Sequence, residues 1–262
     1  MNLFLDAFLW LFSPDRLAGA NAIPVRLGEH LFFTFFAFLI ASAIAVPVGF
    51  LIGHTGKGRE IAVAVSGAAR ALPSFGLILL LVMIIGVLQI APAVTIALVL
   101  LAIPSILAGA YSGLEAVDRR TIDAARAVGM TEWQILTKVE IPLGLPLLIS
   151  GMRSGMLQIV ATATLAAYVG LGGLGYDILQ GIAIRRYDQT LGGALVVVIL
   201  ALLLDTIFGI LEHLVVPRGV RLGRTAGSGE KRTGRGSSRR PGVDGPEQAA
   251  TASASLVGSG PS

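Results

Sequence analysis

Residues 170–175, Gly-Leu-Gly-Gly-Leu-Gly, spell G-x-G-x-x-G, a pattern that brings a backbone against a pyrophosphate when a strand precedes it and an acidic residue follows about twenty positions on. Here an apolar run long enough to cross a bilayer precedes the glycines, so nucleotide chemistry is excluded. Gly170, Gly172, Gly173 and Gly175 are read instead as a tight turn at a membrane surface that lets a partner's backbone approach. A plain flexible turn is the alternative. No phosphate loop is present: Gly56-Lys57 is followed by Gly58 and lacks the upstream glycine at the required spacing. His30, His54 and His213 are scattered and cysteine is absent, so neither a metal site nor a disulfide is indicated. There is no G-x-S-x-G nucleophile motif and no pair of aspartates for an intramembrane hydrolase. No cofactor is expected. Two features remain that could do work. Arg153 and Asp205 each sit inside an otherwise apolar run, where an isolated charge is costly. And residues 123–142, DAARAVGMTEWQILTKVEIP, form a compact charged segment between two greasy ones.

The elements that must position these residues are membrane spans. Of 262 residues 54% are hydrophobic and 14% charged, and the mean hydropathy is +0.80, outside the balance of a soluble domain. Leu31 to Gly53 carries no charge and, at about 1.5 Å per helical residue, covers a hydrocarbon core roughly 30 Å thick. Ala71 to Leu114 is also uncharged and too long for one crossing. It divides at Gln89-Ile90-Ala91-Pro92, with Pro92 suited to the first turn of a returning helix. The span before that turn is short unless it begins ahead of Pro73, which predicts a kinked helix. Two more runs complete the set, giving an all-α integral membrane chain with about five spans at about 31–53, 66–87, 92–111, 145–168 and 190–214. The first 30 residues contain an interfacial helix with Trp10 at the headgroup level.

Residues 218–262 change character, being rich in Gly, Ser, Arg, Pro and Ala, and are expected to be disordered. They carry eight Lys and Arg against three Asp and Glu. Such a tail suits contact with anionic lipid headgroups, or serves as a solvated extension that pins the end in the cytoplasm; no specific nucleic-acid motif is present. Charge also orients the chain. The 53–60 loop, the charged segment and the tail hold 14 Lys and Arg, against Arg16, Arg26, Arg185 and Arg186 on the other side. The positive-inside rule then places the N-terminus outside and the C-terminus in the cytoplasm. Arg153 and Asp205 fall at matching depths, roughly 10–15 Å from the inner face at about 1.5 Å per residue, and are expected to form an ion pair between the fourth and fifth spans.

The charged segment, with its flanks 115–142, reads as a helical hairpin. Thr121 precedes Asp123, Ala124 and Ala125 as an N-cap, Gly129 stops the first helix, Thr131 caps a second, and Pro142 ends it. Paired alanines leave a helix surface with almost no bulk, on which another protein's groove can close; a solvated connector is the bland alternative. The spacing decides for the former. Asp123-Ala124-Ala125, three residues, Gly129, nine residues, then Val139-Glu140-Ile141-Pro142 resembles the E-A-A-x3-G-x9-I-x-L-P signature of membrane subunits of ATP-binding-cassette (ABC) importers. Asp123, Val139 and Ile141 depart from it conservatively. From Gly28 to Val220 the chain is similar to permeases of osmoprotectant importers, in GEHL at 28–31, ALPS at 72–75, VEIPLGLPLLISGMRSG at 139–155 and GLGGLG at 170–175; SILAGAY at 105–111 stands where many relatives carry a more polar segment.

The resemblance implies a type I ABC importer fold of the MetI-like kind and a multi-pass permease in the cell membrane. It implies no enzyme activity of the chain's own, separate ATPase subunits that bind the hairpin through Asp123, Ala124, Ala125, Gly129, Val139, Ile141 and Pro142, and a second permease subunit, either a copy or a sister chain. The glycines at 170–175 would then meet an extracellular or periplasmic substrate-binding protein or form an outer gate. The implied cargo is a small osmoprotectant such as glycine betaine, choline, carnitine or proline. A quaternary ammonium is gripped by several aromatic faces, and span aromatics are few, chiefly Phe32, Phe33, Phe35, Phe36 and Phe38. Selectivity is therefore expected in the binding protein. Importers for another small solute, such as an amino acid, remain a rival within the class. An ion-coupled secondary transporter fits less well, since Asp205 is the only deep acid and no inverted repeat is visible.

Overall fold

The computed structural model describes residues 2–19 and 21–215. The basic tail at 218–262 lies outside the described residues. Among those described the structure is all helix and turn. Among the described residues four helices are long and apolar enough to cross a bilayer, Ile23–Thr55 (α3), the run Val87–Glu115, the run Glu132–Val169, and Tyr187–Val215 (α11); a bent pair makes a fifth if its two helices count as one broken span.

That pair is Arg59–Ala71 (α4) and Ser74–Ile85 (α5), whose axes stand 90° apart. The sequence suggests a kinked helix here, and the structure breaks it. Pro73 drives the preceding residue out of helical geometry, and Leu72 is accordingly extended, with φ −69° and ψ 131°. Ile90–Glu115 (α6) follows with Pro92 in its first turn, where the missing N–H costs nothing.

The core is built on α6, which lies between α3 and the fourth crossing, Ile141–Ala163 (α9). Small residues on all three helices explain the closeness. On α3 the buried positions Ala37, Ala41, Ala45 and Gly49 recur every four residues, forming one ridge. A Cβ placed on Gly49 would lie 2.4 Å from the Ala110 Cβ of α6. Across the other seam a Cβ on Gly109 would lie 2.7 Å from the Gly151 Cα of α9, and one on Gly113 would lie 2.6 Å from the Gly144 carbonyl oxygen. Lipid tails are as apolar as leucine, so helices in a bilayer associate through such close packing. The outward faces carry the bulk: Phe32, Phe35 and Phe36 of α3 are exposed, whereas Phe38 is buried and meets Phe208 of α11 edge-on.

Leu3–Leu11 (α1) packs across the start of α11, with Trp10 buried against Gly192. Leu3, Phe4, Leu5, Phe8, Leu9 and Phe12 stay exposed, the distribution expected of a helix in the plane of the membrane interface. Pro14–Leu17 (α2) then turns the chain toward α3.

Candidate functional site

The hairpin begins at Arg119–Ala127 (α7). Its N-cap is Asp118, whose carboxylate accepts the Arg120 backbone N–H at 2.9 Å, so the helix starts before Thr121, the cap suggested by the sequence. Gly129, at φ 86°, ends it in a left-handed conformation that a Cβ would oppose. Thr131 then caps Glu132–Ile135 (α8) with a complete capping box, its hydroxyl accepting from Gln134 N–H while the Gln134 side chain accepts from Thr131 N–H.

Pro142 does not end the second arm, contrary to the sequence reading. A single π turn at Leu136–Glu140 carries α8 directly into α9, and Pro142 occupies the first turn of α9. A wide turn followed by proline accommodates the missing donor without a break. The arm is therefore one end of a helix long enough to cross the membrane.

The structure separates the two alanines. Ala125 is 8% exposed and packs with Val117, Ile122 and Ile135 in a small core of the hairpin itself. Ala124 faces outward, beside exposed Asp123 and Val128. Of this pair, Ala124 alone is exposed. Glu140 and Val139 also face inward, Glu140 at 4% exposure.

Charged side chains that sequence reasoning missed brace this hairpin. Arg126 donates to both carboxylate oxygens of Glu132, at 2.8 and 3.0 Å, and reaches Asp123 at 3.5 Å. Glu132 holds the exposed Arg126 guanidinium even more firmly protonated than usual. From the C-terminal end of α3, His54 Nδ1 lies 2.5 Å from Glu140 Oε2, and Nε2 lies 3.7 Å from Glu132 Oε2. Eighty-six residues separate His54 from Glu140, and no local pattern announces the contact.

At the opposite end the glycine segment is a turn as well. Gly170, Gly172 and Gly173 have φ of 86°, 90° and 73°. Gly175 opens Gly175–Ala183 (α10), where a Cβ would fall 1.9 Å from the Thr164 carbonyl oxygen. The loop is tied to the start of α3: Glu29 accepts the Gly173 N–H at 2.9 Å and an Arg26 N–H at 3.1 Å, while Arg26 stacks over the Tyr176 ring at 4.1 Å. Buried His30 sits directly under Gly173. Nearby, Arg16 pairs with Asp177 at 3.3 Å and covers the Trp10 ring. Burial raises the Asp177 carboxyl above its ordinary range, against the pull of Arg16 and Arg26.

Between the two ends, Arg153 of α9 and Asp205 of α11 meet in a bidentate ion pair. Among the described residues no cluster of His, Asp and Glu is suited to a metal ion.

Several crossings packed on glycine, an exposed alanine on a capped hairpin at one end of them, and a braced glycine turn at the other describe a membrane-embedded helical subunit. Residues 45–220 match the model of the binding-protein-dependent transport system inner membrane component, and the chain belongs to that family. It is 34% identical over 223 residues to the carnitine transport permease protein OpuCB of Listeria monocytogenes, an alignment covering 85% of this chain and all of the relative. It is 31% identical to the glycine betaine/carnitine/choline transport system permease protein OpuCB of Bacillus subtilis, over 75% of this chain and 89% of that one. Identity to the osmoprotectant import permease protein OsmW of Salmonella typhimurium is 34%, over 78% and 97%. The fold is that of a subunit in an inward-facing structure of the MetNI methionine ABC transporter, with a TM-score of 0.66 at 23% identity over 74% of this chain and 96% of that one. The chain is thus an ABC-importer permease, which works with ATPase subunits and a substrate-binding protein.

Proposed function

We propose that this permease forms the pathway for a small osmoprotectant of the quaternary-ammonium or betaine type, and that the hairpin at 115–142 receives the stroke of a separate ATPase. The observation that carries the coupling role is the pairing of exposed Ala124 with a continuous α8–α9 rod. A groove closing on Ala124 moves a helix whose glycines touch α6 backbone to backbone, so displacement at the inner face reaches the crossings without loss in soft side chains. The names of the relatives support the solute class. The N-terminus lies outside and the hairpin inside, in keeping with the excess of Lys and Arg on the hairpin side.

In this reading Asp123, Ala124, Gly129, Val139, Ile141 and Pro142 shape the docking surface and its root, and Ala125 keeps the hairpin folded. Gly170, Gly172, Gly173 and Gly175 form the outer turn that the binding protein meets or that gates the pathway, and Arg153 with Asp205 fixes α9 against α11. A second permease subunit, a copy or a sister chain, completes the pathway. Span aromatics point mainly to the outside, so choice of solute rests with the binding protein.

The test is uptake of radiolabelled carnitine, glycine betaine, choline and proline by liposomes holding the permease, its ATPase and its binding protein. Saturable ATP-dependent uptake of at least one of them is expected. Uptake of an amino acid such as methionine in place of all four would overturn the solute class, and uptake surviving an inactive ATPase would overturn the coupling.

A further inference from the structure

We propose that the cleft between α1, α2 and the turn joining α10 to α11 is a binding site for a phospholipid headgroup, with phosphate on Arg185 and ammonium on Asp6 and Asp15, and that phosphatidylethanolamine is the lipid it fits. Neither the solute nor the ATPase has a part in this site.

The backbone at Arg185 is unusual. α10 ends in a Schellman motif, in which the Arg186 N–H donates to the Gly181 carbonyl at 2.8 Å and the Arg185 N–H to the Ile182 carbonyl at 3.2 Å. That motif sets the residue after the cap in the left-handed region, where glycine is at ease and a Cβ is strained. Arg185 occupies it at φ 57°, the one non-glycine residue with positive φ among the described residues. Eight glycines hold the other such positions, which sets this arginine apart as one placed for its side chain.

That side chain lines a cleft of about 700 Å³. Three aspartates and three arginines share the lining, but not all are free to serve a ligand. Arg186 is held by Asp188 at 2.7 Å, and Arg16 is held by Asp177 at 3.3 Å and covers the Trp10 ring. Asp6, Asp15 and Arg185 have no ion-pair partner among the described residues. The cleft therefore offers one unpaired guanidinium and two unpaired carboxylates.

A guanidinium presents its N–H donors in a fork that suits a phosphate. A primary ammonium has three N–H donors to divide between two carboxylates. A trimethylammonium has none, and a glycerol headgroup brings no cation, so ethanolamine is the best match. Leu3 and Leu9 form an apolar wall of the same cleft. They continue into exposed Phe4, Phe8 and Phe12 of α1, a surface along which acyl chains can lie in the membrane interface. A charged end joined to an apolar strip favours a lipid over a soluble protein partner.

The test counts the lipid that the full-length permease, purified in detergent, retains in native mass spectrometry when offered dioleoyl phosphatidylethanolamine, phosphatidylcholine or phosphatidylglycerol. The native chain should hold the ethanolamine lipid about fivefold more strongly than either of the others. Arg185→Gly should cut that retention about tenfold. Its thermal midpoint in lipid-free detergent should be unchanged or higher, because glycine accepts the backbone conformation. Arg185→Lys, which keeps the charge, should retain more lipid than Arg185→Gly. Asp6→Asn with Asp15→Asn should erase the preference for ethanolamine over choline and leave the choline lipid bound as before. Equal retention of the three lipids by the native chain, or undiminished retention by Arg185→Gly, overturns the proposal. A midpoint lowered by Arg185→Gly overturns it too, since the arginine would then serve the fold. Glycerophosphoethanolamine, which lacks acyl chains, should fail to displace the lipid at equal concentration; displacement would assign the cleft to a free phosphate ester instead. Loss of affinity for the substrate-binding protein in Arg185→Gly, with lipid retention intact, would assign it to that protein and likewise end the lipid reading.

Discussion

The glycine seams of α6 and the charged hairpin are held together by opposite means. Along the seams, backbones touch through Gly109 and Gly151, and through Gly113 and Gly144, with no side chain to yield. In the hairpin the apolar core amounts to Val117, Ile122, Ala125 and Ile135 with a few neighbours, and the remaining ties are ion pairs that water can replace. Close-packed contacts have one arrangement and transmit strain, whereas exposed ion pairs exchange partners cheaply. In the proposed coupling the membrane part conserves a displacement and the hairpin accepts one.

The sharpest way to break this contrast is to give a seam some bulk. Gly109→Leu drives a side chain into the α9 backbone, and a loss of about 3 kcal/mol or more is expected, read as loss of folded permease from the membrane by size-exclusion profile or protease resistance. Full yield and native melting would mean that the seam is not rigid. In the hairpin the expected injury is functional. Ala124→Trp should leave the chain folded yet weaken assembly with the ATPase at least about thirtyfold, measured by binding to the permease in nanodiscs. Ala125→Trp, by contrast, should unfold the hairpin, seen as rapid proteolysis between residues 115 and 142. If the two variants behave alike, the division of labour between these alanines is wrong.

Asp205→Asn probes a tie of intermediate kind, ionic but placed within the crossings. It leaves Arg153 without its partner between α9 and α11, and a thermal midpoint lower by a few degrees is expected. Exchange of the two residues, Arg153→Asp with Asp205→Arg, should recover part of it. A midpoint unchanged by Asp205→Asn would show that Arg153 reaches the interface by itself. The smallest effect is expected at the outer turn. Gly173→Ala strains a φ of 73° and crowds His30, costing about 1 kcal/mol. It should appear as faster hydrogen exchange at residues 170–176 with crossings unaffected.

How much of this was legible in the sequence follows from the range of each interaction. The crossings and the hairpin are written in runs of like residues, and Gly129 and Thr131 mark their own turns through local backbone chemistry. Arg153 and Asp205 could be paired by counting residues from the inner face, because a bilayer supplies the ruler. Pro73 announces a break, but the 90° angle depends on how α4 and α5 both rest on α6. Pro142 was misread as a terminator because the π turn before it leaves no local signature. Nor could the fates of Ala124 and Ala125 be told apart, since adjacent residues on a helix differ by about 100° in direction and the facing core comes from Val117 and Ile135. His54 and Glu140 become partners only when the first crossing and the hairpin are assembled.

The π turn at Leu136–Glu140 has a consequence of its own. A five-residue loop of this kind houses one residue more than the α-helix around it. Handing that surplus residue along the rod would turn α8 about its axis by about 100° relative to α9 while the helix stays unbroken. In the proposed coupling the root of the hairpin would then serve as a swivel as well as a strut.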